Sequence, residues 1–207
     1  MRTLYIDTAN DDLVLAILED DKLLNKIEKS CKNEHSIYTV SCLDELLKSC
    51  NLLPQDINNI MVVNGPGSFT GVRIGVTVAK TYAYILKKDI ILVSSLKALA
   101  LSTPNKIAIT LIDAKNSNYY MGIYDMFDND VTYETFSTKE EVIQKIEQYQ
   151  DATVVSNKNL TIGDYKVKKV DLDIEAIVKY YKNEEATPID RVLPNYLKLP
   201  QVLEAKK

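Results

Sequence analysis

The sequence predicts an α/β protein built from two lobes that repeat one pattern. Short apolar runs typical of strands alternate with stretches of helical spacing, and this alternation is characteristic of α/β proteins. The pattern that opens the chain starts again after Pro104: a strand ending at Asp7 corresponds to a strand ending at Asp113, 106 positions later. We therefore predict an N-terminal lobe over residues 1–103 and a C-terminal lobe over residues 104–207.

The first lobe is predicted to contain five strands and three helices. The strands are expected at residues 3–7, 13–18, 23–27, 60–63 and 90–93, and the helices at residues 35–50, 72–86 and 96–101. The first helix follows from apolar side chains that recur at spacings of three and four residues from Ile37 to Cys50. The third helix is expected to stop before Pro104, because proline disfavours helical backbone in the residue before it.

The second lobe is less regular. Strands are expected at residues 106–113, 119–124, 152–155 and 165–170, and helices at residues 138–149 and 172–181. Thr138, followed three residues later by Glu141, has the pattern of a capping box at a helix start. The tail carries three prolines from Pro188 to Pro200 and is expected to be extended, and residues 201–207 are expected to fray.

Composition excludes several classes of protein. The 207 residues are 46% hydrophobic and carry a net charge of -4. An acidic chain is a poor stand-alone nucleic-acid binder, because that affinity comes mainly from neutralised phosphates. The three cysteines lack CxxC spacing, which argues against a disulfide scaffold and a cysteine-based zinc module. The longest apolar runs are about seven residues, far short of a membrane span. These features predict a soluble, cytoplasmic protein that does not associate with membranes.

A glycine-rich loop over residues 65–71 is the most informative stretch. Its glycine spacing fails the phosphate-loop, dinucleotide-binding and nucleophile-elbow patterns. What remains is a strand, a glycine-dense turn and a helix start. This fits either a tight connection packed against a neighbour or an anion contact at the helix N-terminus, and both alternatives stay open. The candidate residues in and just after this loop are Gly65, Gly67, Ser68, Thr70, Gly71, Arg73 and Gly75.

Helices 35–50 and 72–86 carry more apolar surface than a sheet would cover. Their apolar residues span arcs of roughly 220° and roughly 200°, whereas a helix on a sheet needs a stripe little wider than about 100°. The excess indicates a second buried contact, either with another protein or with the second lobe. In the first case, a charge at Ala79 or Ala83 would block partner binding and leave the fold intact. The candidate interface residues are Ile37, Val40, Leu43, Leu47, Val72, Val76, Ala79 and Ala83.

The glycine loop resembles the signature of the TsaB (YeaZ) family of bacterial tRNA threonylcarbamoyladenosine synthesis. The matching string runs from Gly65 to Gly75 and continues at Ala79-Lys80. Further matches are Ile6-Asp7-Thr8, His35-Ser36, Val93-Ser94-Ser95-Leu96, Asp113-Ala114-Lys115, Tyr120–Asp125 and Pro194-Asn195-Tyr196-Leu197-Lys198. The resemblance covers most of residues 1–125 and thins out afterwards.

This resemblance implies an actin-like fold (ASKHA, ribonuclease H-like) with two duplicated lobes, which agrees with the repeat of Asp7 and Asp113. It implies that the two broad helices form a bundle with the catalytic relative TsaD or with a second copy of this chain. TsaD transfers a threonylcarbamoyl group to N6 of adenosine 37 in tRNA, and an ATPase subunit, TsaE, joins the complex. The chain is then expected to meet tRNA only through the complex, and ATP or ADP only at the interface with its partner.

The resemblance also implies that catalysis has been lost. TsaD carries an HxxxH pair of metal ligands just after the strand that follows the glycine loop, and Ser95 and Leu99 stand at those positions here. Leucine cannot bind a metal, and neutral serine is a poor ligand. The chain is therefore expected to hold no metal, to use no cofactor of its own and to be a noncatalytic paralogue.

Two enzymatic alternatives remain. Asp7 and Asp113 could hold a metal-bound nucleotide or phosphate in an autonomous actin-like ATPase or phosphotransferase, or they are acids in turns after strands. A peptidase would need Ser68 and His35 as its catalytic pair. Ser68 lacks the elbow spacing, and His35, the only histidine, is expected at the surface of a helix start.

Overall fold

The computed structural model describes residues 1–126 and 130–198, without the side chains of Asp89 and of residues 130–132. The first lobe has a short 3-10 turn at Pro54–Asp56 besides its strands and helices. Its elements are β1 (Arg2–Asp7), β2 (Asp12–Glu19), β3 (Lys22–Ser30), α1 (His35–Ser49), β4 (Asn59–Gly65), α2 (Phe69–Leu86), β5 (Asp89–Ser94) and α3 (Ser95–Leu101). Among the described residues, no helix has the length and apolar character needed to cross a membrane.

The strands of the first lobe form one sheet in the order β3-β2-β1-β4-β5. Strands β1, β2 and β3 pair antiparallel, while β4 and β5 run parallel to β1. The central strands β1 and β4 are buried along most of their length, as expected for strands covered on both faces. Helix α1 packs on β2, and α2 packs on β4 and contacts α1. This sheet therefore fixes the positions of both broad helices.

The second lobe repeats the architecture around a six-stranded sheet in the order β10-β11-β9-β6-β7-β8. A 3-10 turn at Ile189–Arg191 follows its last helix. Its elements are β6 (Ile107–Asp113), β7 (Asn118–Asp125), β8 (Asp130–Thr138), α4 (Lys139–Gln148), β9 (Thr153–Ser156), β10 (Leu160–Ile162), β11 (Tyr165–Lys169) and α5 (Ile174–Tyr181). The predicted capping box is confirmed, since Thr138 and Glu141 bond reciprocally at the start of α4. Strands β8 and β10 were not predicted.

The internal repeat is confirmed. Strands β2 and β7 lie 106 positions apart, and β1 and β6 both end at the predicted aspartates. The sheet order β3-β2-β1-β4-β5 of the first lobe is matched by β8-β7-β6-β9-β11 in the second. The two lobes are therefore duplicates in topology as well as in sequence pattern.

The end of the chain returns to the first lobe. Helix α5 contributes Ile177 and Val178 to the core of the first sheet, and Val192 is fully buried in the same core. The boundary at residue 103 stays a prediction, but residues 174–192, which we assigned to the C-terminal lobe, pack with the N-terminal one. The expected fraying of residues 201–207 lies outside the described residues.

Candidate functional site

The glycine loop packs closely against the turn that follows β1. A Cβ atom added at Gly71 would lie 2.1 Å from the Thr8 carbonyl oxygen, and one added at Gly67 would lie 2.3 Å from the Ala9 carbonyl oxygen. The backbone N–H of Ser68 donates to the Ala9 carbonyl at 2.7 Å. Of the two alternatives for this loop, the tight connection packed against a neighbour is the one that these contacts support.

The remaining loop positions have separate roles. Gly65 has φ 109° and lies against the Asn195 carbonyl, Gly75 lies against the Thr8 hydroxyl, and the side chains of Thr70 and Arg73 are exposed. The Ser68 hydroxyl accepts a hydrogen bond from the Gly71 N–H and caps α2. Because this cap starts the helix at Phe69, α2 begins three residues before the predicted start.

The proposed peptidase pair is not assembled. His35 is buried rather than exposed, so the expectation of a surface histidine is wrong. Its Nε2 has no hydrogen-bond partner among the described residues, so this nitrogen does not bond the Ser68 hydroxyl. The Ser68 oxygen is instead engaged as a helix cap.

Asp7 and Asp113 occupy equivalent positions in different environments. Asp7 is buried and accepts the Ala9 N–H at 2.8 Å, and burial raises its pKa to about 6 despite that bond. One oxygen of Asp113 accepts the Lys115 N–H and the other contacts Lys158 Nζ, each at 2.8 Å. Partial burial alone would raise the pKa of Asp113, but these two contacts outweigh it and hold that pKa below its ordinary value.

A cleft of about 260 Å³ lies between the lobes, and three lysines and several acids line it. The lysine charges are already paired: Lys26 with Glu28, Lys158 with Asp113, and Lys169 with three carboxylates at 3.8–4.0 Å. The carboxylates facing Lys169 are those of Asp12, Glu28 and Asp171. The cleft therefore neutralises its own cations instead of presenting them to an anionic ligand.

Ser95 and Leu99 both line the cleft, one helical turn apart on α3. Asp7 lines the same cleft, and the buried Ser95 hydroxyl has no hydrogen-bond partner among the described residues. Within residues 1–126 and 130–198, no group of three or more histidine, cysteine, aspartate or glutamate side chains is placed to hold a metal ion.

Most of the predicted interface residues face the core of the first lobe. Six of them are at most 4% exposed, so the prediction that they form a free surface is wrong. These six are Leu43, Leu47, Val72, Val76, Ala79 and Ala83. They follow the helical period on the sides of α1 and α2 that cover the sheet, and a sheet-facing stripe has the same apolar pattern as an interface.

The free apolar surface lies on the opposite sides of the two helices. Ile37 and Val40 on α1 are 65% and 62% exposed, and Ile85 on α2 is 68% exposed. Ile74 and Val78, half-buried, continue the line from Ile85 along one side of α2. We call these five residues the outer face. The predicted apolar arc of helix 72–86 included the three residues that α2 contributes to the outer face. Periodicity alone, however, does not tell which side of the helix the sheet covers.

Curated relatives of this chain are TsaB proteins, named for tRNA threonylcarbamoyladenosine biosynthesis. The Bacillus subtilis protein is 40% identical over 126 residues, which cover 60% of this chain and 55% of the relative. The protein of Buchnera aphidicola subsp. Schizaphis graminum is 28% identical over 78% of this chain and 77% of the relative. The chain thus aligns with little more than half the length of the Bacillus protein.

Two solved structures from Pseudomonas aeruginosa share the fold. YeaZ has a TM-score of 0.79, and a protein with similarity to the peptidase YeaZ has a TM-score of 0.80; each is 20% identical and covers 95% of this chain and 99% of its own. The duplicated sheets with a cleft between them form a two-lobed α/β fold, as expected for a protein of the actin-like class. The model of the TsaD family, described as tRNA N6-adenosine threonylcarbamoyltransferase, matches residues 25–202. The chain belongs to this family, in its TsaB (YeaZ) branch.

Proposed function

We propose that this protein is a noncatalytic subunit for the formation of N6-threonylcarbamoyladenosine at position 37 of tRNA, and that it binds and supports a TsaD paralogue. Membership in the family and the names of the curated relatives support a role in this modification. In this proposal TsaE joins the assembly, the chain forms a homodimer when alone, and tRNA is met only through the complex. ATP or ADP is bound only at the interface with the partner.

The outer face is the observation that carries the proposal. Three β-branched side chains on two adjacent helices, Ile37, Val40 and Ile85, are more than 60% exposed. Apolar side chains grouped on a surface in this way mark sites of protein association, because their burial against a partner removes them from water. The two helices are held by the sheet beneath them, so the face is formed before a partner arrives.

The cleft supports the noncatalytic part of the proposal. Its lysines are paired with acids, and Leu99 places a hydrocarbon side chain where an imidazole would be needed for metal binding. Asp113, one of the two acids of the alternative ATPase, is held by Lys158. The alternative of an autonomous ATPase requires that the isolated protein binds ATP with micromolar affinity and turns it over. An ATP titration in which both binding and turnover are followed tests this alternative.

The partner surface is tested by the double substitution Ile37→Asp and Val40→Asp. We expect binding to the TsaD paralogue, measured by calorimetry, to weaken at least about 30-fold, because two carboxylates would be desolvated in the complex. The melting temperature should stay unchanged, since both side chains are exposed. Leu53→Asp is the matched control: Leu53 is 59% exposed and lies outside both helices. Equal affinity of the double variant and the unaltered protein would refute the assignment of this surface.

A further inference from the structure

Arg73 is held in one orientation beside the outer face. Its guanidinium carbon lies 3.9 Å from the centre of the Phe69 ring, and its Nε donates to the Tyr196 hydroxyl at 2.7 Å. The two rings stack on each other with their centres 4.9 Å apart. An exposed arginine normally samples many rotamers, so this clamp has already restricted a side chain that a partner would otherwise have to order.

The aromatic residue that completes the clamp arrives from the far end of the chain. We call residues 187–196 the strap, because this segment lies across β5, β4 and α2. Thr187 pairs with Ile90, and Lys80 Nζ donates to the Val192 carbonyl at 3.1 Å. The Asn195 N–H donates to the Asn64 carbonyl at 2.6 Å. Tyr196 is therefore anchored by the residue before it.

The clamp leaves the outer part of Arg73 available. Arg73 is exposed, and among the described residues no acceptor bonds its two terminal nitrogens. It borders a shallow groove of about 390 Å³ between the start of α1 and the first turns of α2. The rest of the groove is neutral, lined by Ser36, Phe69, Thr70, Ile74, Thr77 and Val78. Arg73 is therefore the one charged side chain among the residues described as lining this groove, and the groove includes Ile74 and Val78 of the outer face.

This setting favours a carboxylate of a protein over the phosphates of a nucleic acid. Nucleic-acid affinity requires several neutralised phosphates, whereas the groove offers one guanidinium, and the nearby Lys80 is bonded to the strap. Arginine at the margin of an apolar contact is instead typical of protein interfaces, where its planar fork binds a carboxylate through two hydrogen bonds.

We propose that Arg73 is a binding anchor for an aspartate or glutamate of the protein that docks on the outer face, and that Phe69 and Tyr196 position it. The inference rests on the proposed function, because it adds a charged contact to the same surface. The terminal nitrogens of Arg73 donate to the partner's carboxylate. The strap does not touch the partner in this contact, but its Tyr196 hydroxyl accepts a hydrogen bond from Arg73 Nε and so orients the guanidinium.

The test compares four variants in binding to the TsaD paralogue. Arg73→Gln is expected to weaken binding at least about 10-fold, and Arg73→Lys nearly as much, because lysine lacks the planar fork. Tyr196→Phe keeps the ring stack but loses one hydrogen bond, so about a 3-fold loss is expected. Arg191→Gln, an equal charge change at an exposed position of the strap, should stay within about 2-fold. Raising the salt concentration should weaken the binding of the unaltered protein more than the binding of the Arg73→Gln variant.

The possible results separate the anchor from the proposed function. If Ile37→Asp with Val40→Asp abolishes binding while Arg73→Gln leaves it unchanged, the anchor is refuted and the proposed function stands. If the unaltered protein does not bind the paralogue, both fall together. If Arg73→Gln lowers affinity for tRNA and not for the protein, the ligand is a phosphate and the inference is wrong. Should Arg73→Gln fail to fold, Arg73→Lys and Tyr196→Phe decide the matter.

Discussion

At the scale of single residues, the glycine loop is shaped by close approaches between backbones, of which the approach at Gly71 leaves the least space for a Cβ atom. The Cα atom of Gly71 faces the Thr8 carbonyl, and the Thr8 hydroxyl donates to the Gly71 carbonyl at 2.7 Å. Any side chain at this position would have to displace the turn after β1. The loop that carries the family resemblance is thus explained here by packing, and the same contact ties α2 to the strand that ends at Asp7.

Gly71→Ala is expected to destabilise the protein by at least about 2 kcal/mol, because the new Cβ would lie 2.1 Å from a buried backbone oxygen. Thr70→Ala is the matched control, since Thr70 is exposed at the preceding position. Urea unfolding followed by circular dichroism measures both variants. If the Gly71→Ala variant is as stable as the control, the turn after β1 can move to accommodate the new Cβ atom without a loss in the free energy of unfolding.

Asp7→Asn is expected to stabilise the protein at neutral pH. Burial raises the pKa of Asp7 from 3.8 to about 6, so the folded protein keeps this proton at a higher pH than the unfolded chain does. The associated stability, about 3 kcal/mol, is fully present below about pH 4 and is lost as pH rises through about 6. Asparagine cannot ionise and retains an oxygen for the Ala9 N–H.

Melting temperatures measured across this pH range test the assignment. The Asp7→Asn variant should match the unaltered protein near about pH 4 and exceed it near about pH 7.5. Asp11→Asn, an exposed neighbour that lines the same cleft, should show no such divergence. If Asp7→Asn is the less stable protein at neutral pH, the carboxylate is favoured by a partner that the geometry does not reveal.

At the scale of elements, α2 has two apolar sides in different surroundings. One side covers the sheet and contains Ala79 and Ala83, which are fully buried. The other side carries Ile85 and the groove beside Arg73. A single apolar arc in the sequence is therefore divided by the fold into core and candidate interface.

Ala79→Arg is expected to prevent folding, because it would bury a charge between α2 and the sheet at a cost of more than about 3 kcal/mol. This reverses the outcome that the sequence alone suggested for a charge at this position. Thr81→Arg places the same side chain at an exposed position of the same helix and should leave the melting temperature nearly unchanged. A folded Ala79→Arg variant would place that side of α2 at the surface.

The elements that sequence could predict were those with local patterns. The strands of the first lobe, the capping box at Thr138 and the repeat of Asp7 and Asp113 follow from periodicity and from residue types at fixed spacing. The side of each helix that meets the sheet could not be predicted, because an arc wider than one stripe fits either orientation. The contact between Arg73 and Tyr196 was also missed, since residues 123 positions apart leave no local pattern.

At the scale of the whole molecule, a half-buried carboxylate joins the two lobes. Glu134 on β8 accepts hydrogen bonds from the Tyr124 hydroxyl at 2.6 Å and from the Ser94 hydroxyl at the end of β5. The Ser94 N–H in turn donates to the Tyr181 hydroxyl of α5 at 3.3 Å. The junction thus connects β5 of the first sheet with β7 and β8 of the second.

Glu134→Ala is expected to lower the free energy of unfolding by about 2–3 kcal/mol, because the hydroxyls of Ser94 and Tyr124 would both lose their acceptor. Tyr124→Phe removes one of these bonds and should cost about 1 kcal/mol. Chemical denaturation measures both variants, with Thr135→Ala on the same strand as control. Equal stability of Glu134→Ala and that control would mean that water replaces the carboxylate.

The strap also determines the order in which the lobes can be completed during synthesis. The core of the first sheet includes Ile177 and Val192, so that core stays open until nearly all of the described chain has left the ribosome. The hydrophobic cluster around β6 and α4 draws only on residues 107–167 and can close earlier. The core of the first sheet therefore closes after the α4 side of the second sheet, and until then its apolar side chains on the nascent chain stay uncovered.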